Sequence, residues 1–272
     1  APKVVPHEPA APVVRFTNVT VQYNGGPAAL EAASFELVRG ERVAIVGPNG
    51  SGKSTLLKVV AGILQPSSGS AEVYGHGARG HICIGYVPQR SQVDWAFPVS
   101  VAEVVMMGRI ARLGLFRHPG KRDRQLVRES LAQVGMADLA DRQIGELSGG
   151  QQQRVFVARS LAQEAELLLM DEPLTGLDIP SQEAIHSILD LLQRRGLTIL
   201  VSTHDLHEAA ERFDRLILLH RRVVGIGRPD EVLTPANLRE AYGTQMTVIE
   251  SSEGALVFGD TCCEGHEGHE HD

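Results

Sequence analysis

The order of apolar and polar positions divides this chain into short strand-like and longer helix-like runs. Residues 14–23 and 34–38 have β-type character, and 42–46 reads as a strand buried on both faces. A Gly-rich turn follows, then a helix over 53–61, and strand character returns at 71–74 and 82–87. From 93 to 145 the texture becomes helical. The spacing predicts helices over 101–107 and 122–134, parted by a Gly- and Pro-containing bend at 114–120. Alternation then resumes: helix 149–163, strand 166–170, helix 181–194, strand 198–202, helix 205–212, strand 215–219. Strands alternating with helices of this length predict a mostly parallel sheet covered on both faces, with 93–145 as an inserted helical subdomain.

The ends differ from the middle. Residues 1–12 are rich in Pro and Ala and are expected to be disordered. Residues 246–259 read as a small C-terminal β annex within a mixed stretch that begins near 225, and 260–272 as a low-complexity tail. No internal repeat is present.

Composition narrows the class. With 272 residues, 43% hydrophobic and 22% charged, the chain can bury a sizeable core, and 4% aromatics leave aliphatic side chains to fill it. The net charge of −7 is concentrated in the tail, through Asp260, Glu264, Glu267, Glu270 and Asp272, so the body is near neutral and nucleic acid is not an expected partner. No apolar run approaches the roughly 20 residues needed to cross a bilayer, and no secretory signal pattern opens the chain. Cys83, Cys262 and Cys263 offer no disulfide framework. Cytoplasmic residence is the expectation.

The strongest chemical signal is Gly47-Pro48-Asn49-Gly50-Ser51-Gly52-Lys53-Ser54-Thr55, which fits G-x-x-x-x-G-K-[ST] between a predicted strand and a predicted helix. Glycines let successive N–H groups turn inward onto a polyphosphate, and the helix N-terminus adds partial positive charge. Lys53 is suited to bridge the β- and γ-phosphates, and the Ser54 hydroxyl to ligate Mg²⁺. A second element, Leu167-Leu168-Leu169-Met170-Asp171-Glu172, is an apolar strand ending in two acids. Asp171 is suited to hold the Mg²⁺ hydration shell and Glu172 to polarise a water as general base.

Between these elements lies Leu147-Ser148-Gly149-Gly150-Gln151-Gln152-Gln153-Arg154, which resembles the signature motif of ABC ATPases and precedes the acid pair as it does in that family. The resemblance covers residues 14–245 and implies a P-loop NTPase core of α/β class, with small antiparallel β elements beside the mostly parallel sheet, and ATP and Mg²⁺ as cofactors. It implies that Ser148, Gly149, Gly150 and Gln151 reach the γ-phosphate of ATP held by a second ATPase subunit. It also matches Tyr23 to the residue that stacks on adenine, and Gln89 to the one that reaches Mg²⁺ and the lytic water. Asp178 matches the dimer-contact aspartate and His204 the γ-phosphate histidine. The reaction implied is phosphoryl transfer to water, with dimer closure and opening passed to an integral membrane permease.

Two further stretches bear on cargo. The string Val93-Asp94-Trp95-Ala96-Phe97-Pro98 resembles the subgroup serving manganese, zinc or iron importers, whose extracytoplasmic metal-binding receptor would be an indirect partner. Trp95 and Phe97 are then expected to be half-buried and to dock the permease. In the tail, Cys262, Cys263, His266, His269 and His271 are a candidate zinc-binding set, although adjacent cysteines match no standard structural zinc spacing. The alternatives are an importer for a siderophore or cobalamin, and a soluble ABC ATPase outside transport. The latter is disfavoured by the short helical insert and near-neutral body.

Overall fold

Five parallel strands set the architecture because their sequences are apolar on both faces. The computed structural model describes residues 7–8, 11–113, 118–243, 246–250 and 256–260. An N-terminal hairpin of β1 (Val14–Gln22) and β2 (Ala28–Leu37) leads into β3 (Arg42–Val46), the phosphate loop and α1 (Lys53–Val60). β4 (Ser68–Val73) and β5 (His76–Gly77) join the hairpin in an antiparallel sheet ordered β2-β1-β4-β5. β6 (Ile84–Val87) then enters the central sheet.

Helices α2 (Val101–Met107), α3 (Ile110–Leu113) and α4 (Lys121–Gln133) follow, and α5 (Gly149–Ala162) returns the chain to the sheet. The remainder is β7 (Leu167–Asp171), α6 (Ile179–Arg194), β8 (Thr198–Ser202), α7 (Leu206–Arg212), β9 (Arg215–His220), β10 (Arg222–Gly227), α8 (Pro229–Val232), α9 (Pro235–Tyr242), and the pair β11 (Met246–Glu250) and β12 (Leu256–Asp260). The central order is β10-β9-β3-β8-β7-β6, parallel throughout except that β10 runs antiparallel on β9.

Every residue of β3, β7 and β8 is buried. Their side chains alternate between two cores, as a two-residue period requires. Val43, Ile45, Leu167, Leu169, Leu200 and Ile217 meet α1 and the antiparallel sheet through Leu56, Leu57, Phe16 and Phe35. Ala44, Val46, Leu168, Met170, Val201 and Leu218 meet the helical face, and that core runs on without interruption into Val101, Val105, Val127, Leu131 and Phe156. The inserted helices therefore share the sheet's core. A reciprocal cap starts α2, where Ser100 Oγ accepts from Glu103 N and Glu103 Oε2 from Ser100 N. Arg109, 5% exposed, fastens them, donating to Asp123 Oδ1 (3.0 Å), Ala162 O (2.7 Å) and Glu164 Oε2 (2.7 Å).

The structure departs from the expected boundaries where pairing overrides local propensity. β2 begins at Ala28 rather than 34, because backbone pairing with β1 carries an Ala- and Glu-rich stretch of low β propensity into the sheet. The strand expected at 82–87 starts at Ile84, and β10 was not expected at all. In the lead-in, expected as disordered over 1–12, the described residues include His7, which stacks on Tyr74 at 3.9 Å, and Glu8, whose N–H donates to Tyr74 O at 3.3 Å. Part of the 114–120 bend and all of 261–272, including Cys262, Cys263, His266, His269 and His271, lie outside the described residues. Among the described residues, no helix is long and apolar enough to cross a membrane.

Candidate active site

Leaving β3, the chain turns at once into the phosphate loop, and the turn demands glycine. Gly47 has φ 153°, and a Cβ there would lie 2.1 Å from Leu219 O. Gly52 has φ 102°, with Ala29 O 2.4 Å from its Cβ position. No other residue fits either place. Asn49 and Gly50 form the exposed tip, and Ser51 is buried with its N–H donating to Pro48 O.

Lys53 folds back over the loop it follows. Its Nζ donates to Gly47 O (2.8 Å) and Pro48 O (3.1 Å) and stands 3.8 Å from Glu172 Oε1. Burial pulls the Lys53 pKa below its ordinary value, opposed by the charges of Glu172 and Asp171. A buried ammonium beside an open loop is a ready partner for phosphate.

The acids arrive at the C-terminal end of β7. Asp171 is fully buried, and its Oδ1 accepts from Ser54 Oγ (3.0 Å) and Ser202 Oγ (2.7 Å). Its Oδ2 is buried with no hydrogen-bond partner among the described residues. A buried carboxylate oxygen left over beside a serine hydroxyl is the hard oxygen donor set that Mg²⁺ takes, so Ser54 and Asp171 fit that ion. Glu172 has φ 46°, a left-handed conformation unfavourable for a residue that carries a Cβ, held by its N–H donating to Ser202 Oγ at 2.9 Å and Ser202 O at 3.1 Å. Its carboxylate gathers Gln89 Nε2 (3.3 Å), Thr175 Oγ1 (3.5 Å) and His204 Nδ1 (3.9 Å) on Oε2. The His204 side chain remains 56% exposed. Tyr23 places its hydroxyl 3.2 Å from Thr55 Oγ1, and the residue is 48% exposed.

Tyr23, Lys53, Ser54, Thr55, Gln89, Asp171, Glu172 and His204 are thus joined into one cluster by direct contacts, together with the adjacency of Lys53, Ser54 and Thr55 and of Asp171 and Glu172 in the chain. Two sets expected from the sequence are not. Ser148 caps α5 with Gln151, Oγ accepting from Gln151 N and N–H donating to Gln151 Oε1, and faces solvent. Asp178 opens α6, exposed, without a side-chain cap bond. Among the described residues, neither makes a hydrogen bond or ion pair with residues 47–55. Gly150 has a packing reason to be glycine, since a Cβ would sit 2.6 Å from Ser181 Cβ on α6; at Gly149 the nearest atom would be Leu177 Cδ2 at 3.0 Å. Ser202, which holds both acids, was missed in the sequence, where its only signal was its place at the end of an apolar strand. Trp95 is half-buried, edge-on to Phe156 at 5.4 Å, whereas Phe97 is 58% exposed, more than expected.

A glycine loop between strand and helix, a buried lysine, and two adjacent acids at the C-terminal end of one parallel strand define a P-loop nucleoside triphosphatase. The sequence pattern of the family described as ABC transporter matches residues 30–175. The manganese transport system ATP-binding protein of Bacillus subtilis is 44% identical over 87% of this chain and 95% of its own. The zinc transport system ATP-binding protein of Treponema pallidum is 45% identical over 86% of this chain and 88% of its own. Among solved structures, an inward-facing metal-chelate type ABC transporter superposes with a TM-score of 0.77 at 30% identity, covering 91% of this chain and 96% of that one. The chain belongs to the ABC transporter family, as an ATP-binding and ATP-hydrolysing member.

Proposed function

We propose that this protein is the motor of a transition-metal importer, working as a pair on the cytoplasmic face of a membrane against an integral permease that an extracytoplasmic receptor supplies. The convergence of Gln89, His204 and Lys53 on the Glu172 carboxylate is the observation that carries the chemistry. In this reading Glu172 takes the proton of the attacking water as its oxygen forms the bond to the γ-phosphorus and the bond to the β-phosphate oxygen breaks. Lys53 exchanges its loop carbonyls for phosphate oxygens, while His204 and Gln89 orient phosphate and water. Tyr23 stacks on the base, and the N–H groups of 47–55 cradle the phosphates. Ser54, Gln89 and Asp171 would hold Mg²⁺, which supplies charge neutralisation on the β- and γ-phosphates.

The cap of α5 supports a shared site: exposed Ser148 and half-buried Gly149 and Gln151 lie at the helix tip, with buried Gly150 packed behind them, and the tip would meet the triphosphate of a partner copy, with Asp178 at the same contact. The metal cargo is supported by relatives named for manganese, zinc and chelated-iron transport at 44–45% identity. Exposed Phe97 beside packed Trp95 suits a permease contact.

Elemental analysis of cells lacking the gene tests this. Manganese, zinc or iron should fall, recover with the wild-type chain and not recover with Glu172→Gln. Normal metal contents with impaired siderophore or cobalamin uptake would replace the cargo; no transport defect at all would overturn the motor role.

A further inference from the structure

Away from the nucleotide, three metal-ligating side chains meet where β6 begins. One ligand atom each from His7, His81 and Cys83 lies within 4.8 Å of the others. We propose that these residues form a binding site for a borderline-soft divalent ion of the zinc class, distinct from the ATP site.

The hydrogen bonds around the cluster already prepare it for a cation. His81 Nε2 lies 3.1 Å from Gly77 O, which fixes Nε2 as the protonated nitrogen and leaves the Nδ1 lone pair facing Cys83 Sγ at 3.7 Å. Tetrahedral zinc with bonds of about 2.0 Å to nitrogen and 2.3 Å to sulfur sets those two atoms about 3.6 Å apart. His7 Nδ1 lies 3.4 Å from Glu166 Oε2, so ligation through Nε2 gives the carboxylate–histidine–metal order that orients metal-bound imidazoles. Its ring is further held by stacking on Tyr74.

Cys83 is itself clamped, its carbonyl accepting from Glu166 N (2.8 Å) and Leu167 N (3.2 Å). Burial pushes the Cys83 thiol up to about 11, with Glu166 adding to the shift, so without an ion it is a neutral thiol rather than a reactive thiolate. The ion takes the place of the thiol proton, which leaves to solvent. Water completes the tetrahedron, with the His76 ring 6.4 Å from His81. Two imidazoles and a thiolate select zinc over manganese or magnesium, which prefer oxygen.

The site is separated from the nucleotide by the length of β6, roughly 13 Å. Gln89 follows the far end of that strand. A bound ion would join the lead-in to the two strands, β6 and β7, that deliver Gln89, Asp171 and Glu172.

Cobalt titration of the full chain carrying Cys262→Ser and Cys263→Ser tests the proposal, because Cys83 is then the only thiol. One equivalent of Co²⁺ should produce a thiolate-to-cobalt charge-transfer band with tetrahedral d–d absorption. Zn²⁺ should displace it, and Mn²⁺ and Mg²⁺ should not. Cys83→Ala should abolish the band, and His7→Ala should weaken binding at least about tenfold while leaving basal ATPase activity unchanged. If Cys83→Ala fails to fold, the His7→Ala comparison decides alone. The absence of a charge-transfer band, its survival in Cys83→Ala, or unchanged affinity in His7→Ala would overturn the assignment.

Discussion

Ser202 Oγ donates to Asp171 Oδ1 at 2.7 Å and accepts from Glu172 N at 2.9 Å, so one hydroxyl sets both acids of the site. It acts through the two acids it bonds, as a positioning residue. Ser202→Ala removes a fully buried hydroxyl from Asp171 Oδ1 and leaves Glu172 N–H, at a left-handed φ, with Ser202 O alone at 3.1 Å. The expected outcome is a loss of about 1–3 kcal/mol of stability by denaturant unfolding. A fall in kcat that exceeds any change in ATP affinity should accompany it. Threonine at this position should recover part of the rate, which a purely structural loss would not predict.

Glu172→Gln keeps the shape of the site and removes the base. The kcat for ATP should fall at least about 100-fold with nucleotide affinity retained, read from steady-state turnover and equilibrium binding. Turnover at the wild-type rate would mean that another group takes the water's proton.

Lys53→Ala removes the ammonium that lies between Gly47 O, Pro48 O and Glu172. Loss of charge-assisted contacts to phosphate worth about 1.5–3 kcal/mol corresponds to roughly 10- to 150-fold weaker ATP binding, measurable by calorimetry.

Arg109 has a structural part. The hydrogen bond from Gly120 N holds the Asp123 carboxyl below its ordinary range, with Arg109 adding to the effect. At Glu164 burial acts upward, but the hydrogen bond from Arg109 and the charges of Arg112, Arg109 and Arg122 outweigh it, and the net direction is down. Folded-state values below the unfolded ones mean that this stabilisation is full above about pH 4 and is lost as pH falls through the lowered values. Arg109→Gln should therefore cost about 2–3 kcal/mol near neutrality and flatten the dependence of the unfolding midpoint on pH below that range.

Much of this was legible in the sequence because it is local. Continuous apolar runs marked β3, β7 and β8, since parallel strands covered on both faces have no polar side to display. The Ser100 and Glu103 pair stands at the start of α2, which spans Val101–Met107 as the helical spacing predicted. The phosphate loop announces itself because two of its glycines have no room for a Cβ. What was hidden depends on residues far apart in the chain. Nothing local distinguishes Ser202 from another strand-end serine until β8 pairs with β7 and brings it beside Asp171. Nor does the lead-in reveal that His7 will settle on Tyr74.

The central claim, that each ATP is hydrolysed between the phosphate loop of one copy and the Ser148 helix tip of another, is tested most directly by mixing two inactive chains. Lys53→Ala and Ser148→Arg should each be inactive alone. Combined in equal amounts they should recover about a quarter of the wild-type ATPase rate, because half of randomly formed pairs contain one intact composite site. Full activity of Ser148→Arg alone, or no recovery on mixing chains that demonstrably pair, would contradict it.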